Sequence, residues 1–157
     1  MGKFTGYAVV LLVGVLLGVG ATAFAGAGDE GVWVLHRSAA ETFALGGGKA
    51  HAQLMLNEAT GARRASMGYL TGVKGFEVPA HKHDGTAELL WFVEGAGELT
   101  IAGKKYDVKS GTAIYIPEGA EHSFRATAPF EAVQVYAGPG PEQRFRKVGT
   151  PVVRPAQ

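Results

Sequence analysis

The stretch Gly75–Gly95 reads GFEVPAHKHDGTAELLWFVEG. His81 and His83 stand two residues apart, and Glu88 follows five residues after His83. On a strand, residues i and i+2 face the same side, so both imidazoles can aim at one interior spot. Asp84-Gly85 is a turn signal, after which Glu88 can begin the next strand facing the same interior. That carboxylate sits among Ala87, Leu89, Leu90, Trp91 and Phe92. A buried carboxylate without a partner is costly, so a metal or another cation is expected beside it.

A second stretch, Gly111–His122, reads GTAIYIPEGAEH and brings His122 in on a later strand after a Pro-x-Gly turn. Three imidazoles and one carboxylate make a nitrogen-and-oxygen ligand set that suits a divalent first-row metal. Six-coordinate geometry would leave two positions for water or substrate. Of the five histidines in the chain, the remaining two, His36 and His51, read as surface or hydrogen-bonded residues. Asp84 and Glu94 lie in turns, and Glu118 and Glu121 flank the second turn; all four read as solvated charges.

Outward from these stretches the chain alternates short apolar runs with turn signals. Runs fall at Ala52–Leu56, Met67–Leu70, Leu89–Val93, Glu98–Ile101, Lys105–Val108, Ala113–Ile116, His122–Ala126 and Ala132–Tyr136. Ala102-Gly103-Lys104 closes a hairpin, Pro117 stops a strand, and Val32–Leu35 is a further candidate. Leu45–Lys49 reads as a loop, and the tail from Gly138 reads as irregular. Such spacing argues for an all-β sandwich or barrel. The 24 glycines and 7 prolines among 157 residues point the same way and rule against a helical bundle.

Hydrophobic residues make up 46% and charged residues 18%, enough to fill one domain's core and too apolar for a disordered tail. Fifteen Lys plus Arg against 14 Asp plus Glu give a net charge of +1, which leaves no electrostatic footprint for nucleic acid or an anionic membrane. Cysteine is absent, which excludes disulfides, thiolate nucleophiles and zinc-finger or iron–sulfur ligation.

The N-terminus carries its own signal. No charge lies between Lys3 and Asp29, and Ala8–Ala21 is an apolar core. Ala23-Phe24-Ala25 fits a cleavage site, giving a signal peptide over 1–25 and a linker over 26–31. The rival is an uncleaved anchor helix, since Phe4 to Gly28 is long enough to span a bilayer. Lys3 before it and Asp29-Glu30 after it place the bulk of the chain outside in both readings. The expected location is therefore exported: periplasmic, extracellular, or anchored and facing outside. Contact with the membrane is expected only through that segment.

Gly75-x5-His81-x-His83-x4-Glu88-x6-Gly95 resembles the first motif of the cupin superfamily, and Gly111-x5-Pro117-x-Gly119-x2-His122 resembles the second. The second motif commonly ends in Asn, where this chain has Ala126; that Asn is not among the family's metal ligands. The resemblance implies a small, single-domain, exported cupin of the cupin 2 kind. Its fold would be a small antiparallel jelly-roll β-barrel over 32–157, with its motif core at 66–136. It also implies His81, His83, Glu88 and His122 as ligands of one divalent transition metal (Fe, Mn, Ni, Co, Zn or Cu), and a homodimer.

Iron or manganese at such a site would support oxygenase chemistry, and zinc, nickel or cobalt Lewis-acid chemistry. Glu88 is also the candidate catalytic base. Alternation from Glu88 turns Leu90 and Phe92 inward, and alternation from His122 turns Phe124 inward. Met67 and Tyr69 are further candidates for the wall, with Gln134 or Val133 where the register is open. That wall suits a small planar or aromatic substrate better than a polyanion. Arg63, Arg64, Arg144 and Arg146 read as turn or tail residues facing solvent, so no inward cation is expected. Trp91 alternates outward, and an exposed ring of that size marks a candidate interface.

Three functions follow as expectations. The first is a metal-dependent enzyme, such as a quercetinase-like dioxygenase acting on a small aromatic or phenolic substrate. The second is a module that binds a metal or small ligand without turnover. The third is a protein that uses the metal to hold the barrel, which the open positions argue against because structural sites are usually closed.

Overall fold

Period-two alternation is the local rule that builds this chain. The strand Phe130–Ala137 (FEAVQVYA) buries every second side chain, from Phe130 through Ala132 and Gln134 to Tyr136. Its neighbour Ala87–Glu94 does the same with Glu88 and Phe92, leaving Leu89, Trp91 and Val93 exposed. In a computed structural model that describes residue 31 and residues 34–138 and 140–153, such strands form two antiparallel sheets. The signal or anchor segment expected over 1–25, and the linker as far as residue 30, lie outside the described residues.

In chain order the strands are β1 (Glu41–Leu45), β2 (Ala50–Leu56), β3 (Ser66–Gly72), β4 (Glu77–His81), β5 (Ala87–Glu94), β6 (Ala96–Ile101), β7 (Lys104–Lys109), β8 (Ala113–Ile116), β9 (His122–Ala126), β10 (Phe130–Ala137) and β11 (Thr150–Pro151). Seven lie in one sheet in the order β11-β1-β2-β3-β10-β5-β8, and four in the other in the order β4-β9-β6-β7. Between β3 and β10 the chain crosses from one sheet to the other at every step except the β6–β7 hairpin, and the result is an antiparallel jelly roll. The β6–β7 hairpin turns on Ala102 and Gly103, both at positive φ (48° and 78°), which matches the right-handed twist of its strands.

The inner faces of the two sheets meet over a phenylalanine cluster. Phe92 and Phe130 from the larger sheet approach Phe124 from the smaller at ring-centroid distances of 5.6 and 5.2 Å, and Phe76 stacks on Phe130 at 6.3 Å. Leu45, Leu54, Leu99 and Val108 extend the same core. Each such side chain contributes about 1.5–3 kcal/mol by leaving water.

Several sequence expectations need correction. β1 carries no turn-bounded apolar run and was not expected. Its Phe43 and Leu45 are buried because the strand pairs with both β2 and β11. The tail is ordered rather than irregular: a short helix α1 (Arg144–Val148) leads into β11. Residues 34 and 35 of the Val32–Leu35 candidate are not strand, and 32–33 lie outside the described residues. His83 is not on a strand with His81; β4 ends at His81, and His83 lies two residues into the loop.

Candidate metal centre and its cavity

β4 and β9 place two of the four candidate ligands directly. His81 ends β4 and is the pairing partner of His122, the first residue of β9, and their rings lie 4.2 Å apart. A bulge between Val78 and His81 re-aims the end of β4. His83 reaches the same spot from the loop, which the second motif holds in place. The Gly119 amide donates to the His83 carbonyl at 2.9 Å, and the Gly85 amide donates to a Glu118 carboxylate oxygen at 3.0 Å. Glu118, expected as a plain surface charge, therefore ties the two motif loops together. Glu88 comes from the opposite sheet, on β5, facing inward with Leu90 and Phe92.

The four side chains converge. One potential ligand atom from each of His81, His83, Glu88 and His122 lies within 4.8 Å of the others. Glu88 Oε2 sits 3.2 Å from His83 Nε2 and 3.1 Å from His122 Nε2. All three of these atoms are buried and lack a well-directed hydrogen-bond partner. The far ring nitrogens are committed outward: Nδ1 of His81 donates to the Pro79 carbonyl at 2.8 Å, and Nδ1 of His122 to the Ala120 carbonyl at 2.9 Å. A proton on Nδ1 leaves the Nε2 lone pair facing the cluster, the arrangement that orients a metal-binding imidazole. The residues therefore fit a metal ion: orphaned lone pairs and a carboxylate oxygen face one point, and no hydrogen bond from the described residues satisfies them.

The electrostatics follow from burial and proximity. Burial pushes the Glu88 carboxyl up, but His122, His83 and the Gln134 amide beside it outweigh that and hold it at about 2. Burial lowers His81 to about 4, against the pull of the Pro79 carbonyl, so its ring is neutral near pH 7. Burial also works to lower His122, but Glu88 and the Ala120 carbonyl reverse it and leave its pKa raised. Tyr136 is pushed well above its ordinary value by burial and then by the Glu88 charge, and so keeps its proton.

Below the cluster lies a cavity of about 90 Å³. Leu90, Phe92 and Phe124 line it, as the alternation requires. Tyr69 does not, and this corrects its expected place in the wall. Cross-strand pairing sets Tyr69 opposite Val133, and Gly68 opposite Gln134, so Tyr69 shares the outer face. There its hydroxyl bonds Glu131 and the Arg37 guanidinium lies 3.9 Å over its ring. Met67 lies on that outer face too and is 40% exposed.

The same register settles Gln134. It faces inward opposite Leu90, and its Nε2 donates to Glu88 Oε1 at 2.6 Å and to the Tyr136 hydroxyl at 3.0 Å. Tyr136 pairs with Glu88 and packs edge-on against His83 at 5.0 Å. The sequence offered a signal for Tyr136, since it alternates with Gln134 along one strand; β-strand period alone, without register, does not say which face is inside. His51, read as a bystander, also lines the cavity. So does Arg144, which corrects its expected place in solvent. Its positive charge reaches the site, adding a lowering influence at His81, His122 and Tyr136.

Comparison with known proteins agrees with this geometry. Residues 70–136 match the family model described as a cupin domain. The chain is 41% identical over 56 residues to quercetin 2,3-dioxygenase of Bacillus subtilis, a match covering 36% of this chain and 17% of that protein. It spans less than two thirds of the curated relatives it matches, at 17%, 34% and 58% of their lengths. Among solved structures it resembles a predicted oxalate decarboxylase of Thermotoga maritima, with a TM-score of 0.59 at 22% identity, covering 67% of this chain and 98% of that one. An RmlC-like cupin from Shewanella frigidimarina gives a TM-score of 0.59 at 17% identity, over 69% and 92% of the two chains. At such identities the structural likeness speaks for the fold alone. With the jelly roll, the two motifs and the converging His–Glu cluster in place, residues 70–136 of this chain are a cupin domain.

Proposed function

We propose that His81, His83, Glu88 and His122 hold one divalent transition metal, and that the chain is a metal-dependent enzyme of the dioxygenase kind acting on a small aromatic or phenolic substrate. The observation that carries this reading is the convergence of three buried, unpartnered ligand atoms on one point at the top of an apolar cavity. The partial match to a quercetin dioxygenase supports the choice of chemistry.

A metal bound there supplies a Lewis-acid centre and, for iron or manganese, a route to dioxygen chemistry. The protein's own groups do the rest. Glu88 is ionised at neutral pH, and Gln134 grips its Oε1, which leaves Oε2 turned to the imidazoles. Gln134 also orients the Tyr136 oxygen, whose retained proton is available to a substrate oxygen in the cavity. Phe92, Phe124 and Leu90 shed water from the wall and favour a flat apolar ligand.

The test is oxygen uptake by the full chain, loaded in turn with each candidate metal, against a panel of flavonols and catechols. Consumption with at least one substrate is expected, lost on chelation and in Glu88→Ala. Stoichiometric metal with no turnover across the panel would instead favour the non-catalytic binding module.

The reading includes an exported location, carried by the apolar core Ala8–Ala21 and the Ala23-Phe24-Ala25 site. It also includes self-association through the outer face of β5 and β8. Leu89, Trp91, Val93 and Tyr115 are 40%, 48%, 41% and 62% exposed there, and Leu89 pairs directly with Tyr115. A contiguous apolar face of this kind favours burial against a second copy. Trp91→Lys is expected to lower the mass measured by light scattering from dimer to monomer while metal content stays unchanged. An unaltered dimer mass would remove this face from the proposal.

A further inference from the structure

Arg144 is the cation that the cavity was not expected to have. It opens α1 and lines the cavity together with His81, Glu88 and His122. Among the described residues its guanidinium makes no hydrogen bond and no ion pair. Arg146, two residues on, is by contrast bound to Glu41 and Gln143. Among the described residues the only acid lining the cavity is Glu88, and its oxygens are taken by Gln134 and turned to the imidazoles. Arg144 is half-buried, so a cation stands at the edge of an apolar cavity with no counter-charge, a place where a bound anion is favoured. Its planar fork of donors matches a carboxylate.

The fold holds this arginine in place. Glu142, 3% exposed, accepts from the Ser66 hydroxyl at 3.0 Å, the Gly140 amide at 2.8 Å and the Gln143 amide at 3.0 Å. That carboxylate pins the approach to α1 onto β3. Beyond α1, β11 pairs with β1. A helix tied down on both sides presents Arg144 with little freedom to lose on binding. Phe76, Phe92, Phe124, Phe130 and Phe145 supply the apolar wall of the same cavity.

We infer that Arg144 anchors the carboxylate of a small ligand, whose apolar or aromatic body lies along the phenylalanine wall and whose far end faces the His–Glu cluster. This narrows the proposed substrate from a neutral phenol to an aryl or alkyl monocarboxylate. It rests on the metal-site reading only for what meets that far end.

The experiment uses the full chain, metal-free and metal-loaded, titrated calorimetrically with phenylacetate, cinnamate and hexanoate and with the amide of each. Wild type is expected to bind at least one carboxylate ten times more tightly than its amide, in both metal states. Arg144→Gln should erase that preference with metal uptake unchanged, and Arg144→Lys should keep part of it. No carboxylate preference in wild type, no binding at all, or a preference that survives Arg144→Gln would each overturn the inference. A preference present only with metal and insensitive to Arg144 would mean that the carboxylate sits on the metal, which also overturns it. Failure of the metal reading looks different: no metal uptake, with the Arg144-dependent preference intact in the metal-free chain.

Discussion

In His83→Ala, tight binding of a divalent transition metal is expected to disappear. Loss of an outer partner of a metal ligand costs about 10–100-fold in affinity. Loss of a ligand itself costs at least that, because His83 supplies one of only four donors gathered within 4.8 Å. Metal content by mass spectrometry should fall from one per chain to near zero after dialysis. For wild type, metal at a hundred times its dissociation constant adds about 2.7 kcal/mol. That corresponds to a rise in Tm of roughly 10 °C for a domain of this size, reversed by chelation. His83→Ala should show no such rise. Equal metal content in the two proteins would sink the four-ligand site.

The pH dependence of that affinity has a definite sign. Glu88, held at about 2, and His81, at about 4, are already unprotonated near neutrality. His122, whose pKa is raised, takes up a proton as pH falls through its value and must give that proton up for metal to bind. Metal affinity should therefore drop with pH below the raised His122 value and level off above it. The metal-free fold responds in the opposite sense. A raised folded-state pKa contributes stability that is fully present below 6.5 and is lost as pH rises through the folded value. Glu88, depressed from 4.5, contributes stability present above 4.5 and lost as pH falls towards 2. Calorimetry at pH 6 and pH 8, in buffers of different ionisation heat, reads the proton release directly.

The largest effect on folding is expected from Gly95→Ala. Gly95 turns the chain from β5 into β6 at φ +88°, and a Cβ there would lie 1.9 Å from the Pro129 carbonyl oxygen and 2.6 Å from Phe130 Cα. Both obstacles are backbone, so neither moves aside as a side-chain tip would. The left-handed conformation costs a non-glycine residue about 1–2 kcal/mol. Overpacking adds about 1–3 kcal/mol and more when the backbone must shift. The total, about 2–5 kcal/mol, consumes a large share of the roughly 5–15 kcal/mol that holds a domain together. Gly75, the glycine that opens the first motif, is the control: φ is +81°, but nothing lies within 4 Å of its Cβ position. Gly75→Ala should show only the conformational part, about 1–2 kcal/mol. Equal losses at the two sites in urea unfolding would mean that the Pro129–Phe130 backbone yields freely to Gly95.

The fold class was legible because turn glycines and alternating strands repeat through the chain. β8 and β9 in particular have the bounds that Ala113–Ile116 and His122–Ala126 announce. β1 was not legible, because Glu41–Leu45 becomes a strand only by pairing with β2 on one side and the chain's end on the other. Inward positions adjoining a ligand were readable by counting, as Leu90, Phe92 and Phe124 show. Where the count had no anchor, it misplaced Tyr69 and left Gln134 open. The missing information was the register of β3 against β10.

By itself, the sequence determined which residue types meet at the site. Ligand chemistry and the spacing of strand and turn are local properties, and His81, His83, Glu88 and His122 stand in motifs whose turns carry them to one end of the barrel. Tertiary structure alone decided what surrounds them. Gln134 reaches Glu88 across 46 residues through strand register, and Arg144 enters the cavity because Glu142, buried against Ser66 76 residues away, holds the tail to β3. Such partners depend on pairings between distant segments, which no local pattern encodes, because a shift of one residue would turn each of those side chains to the opposite face.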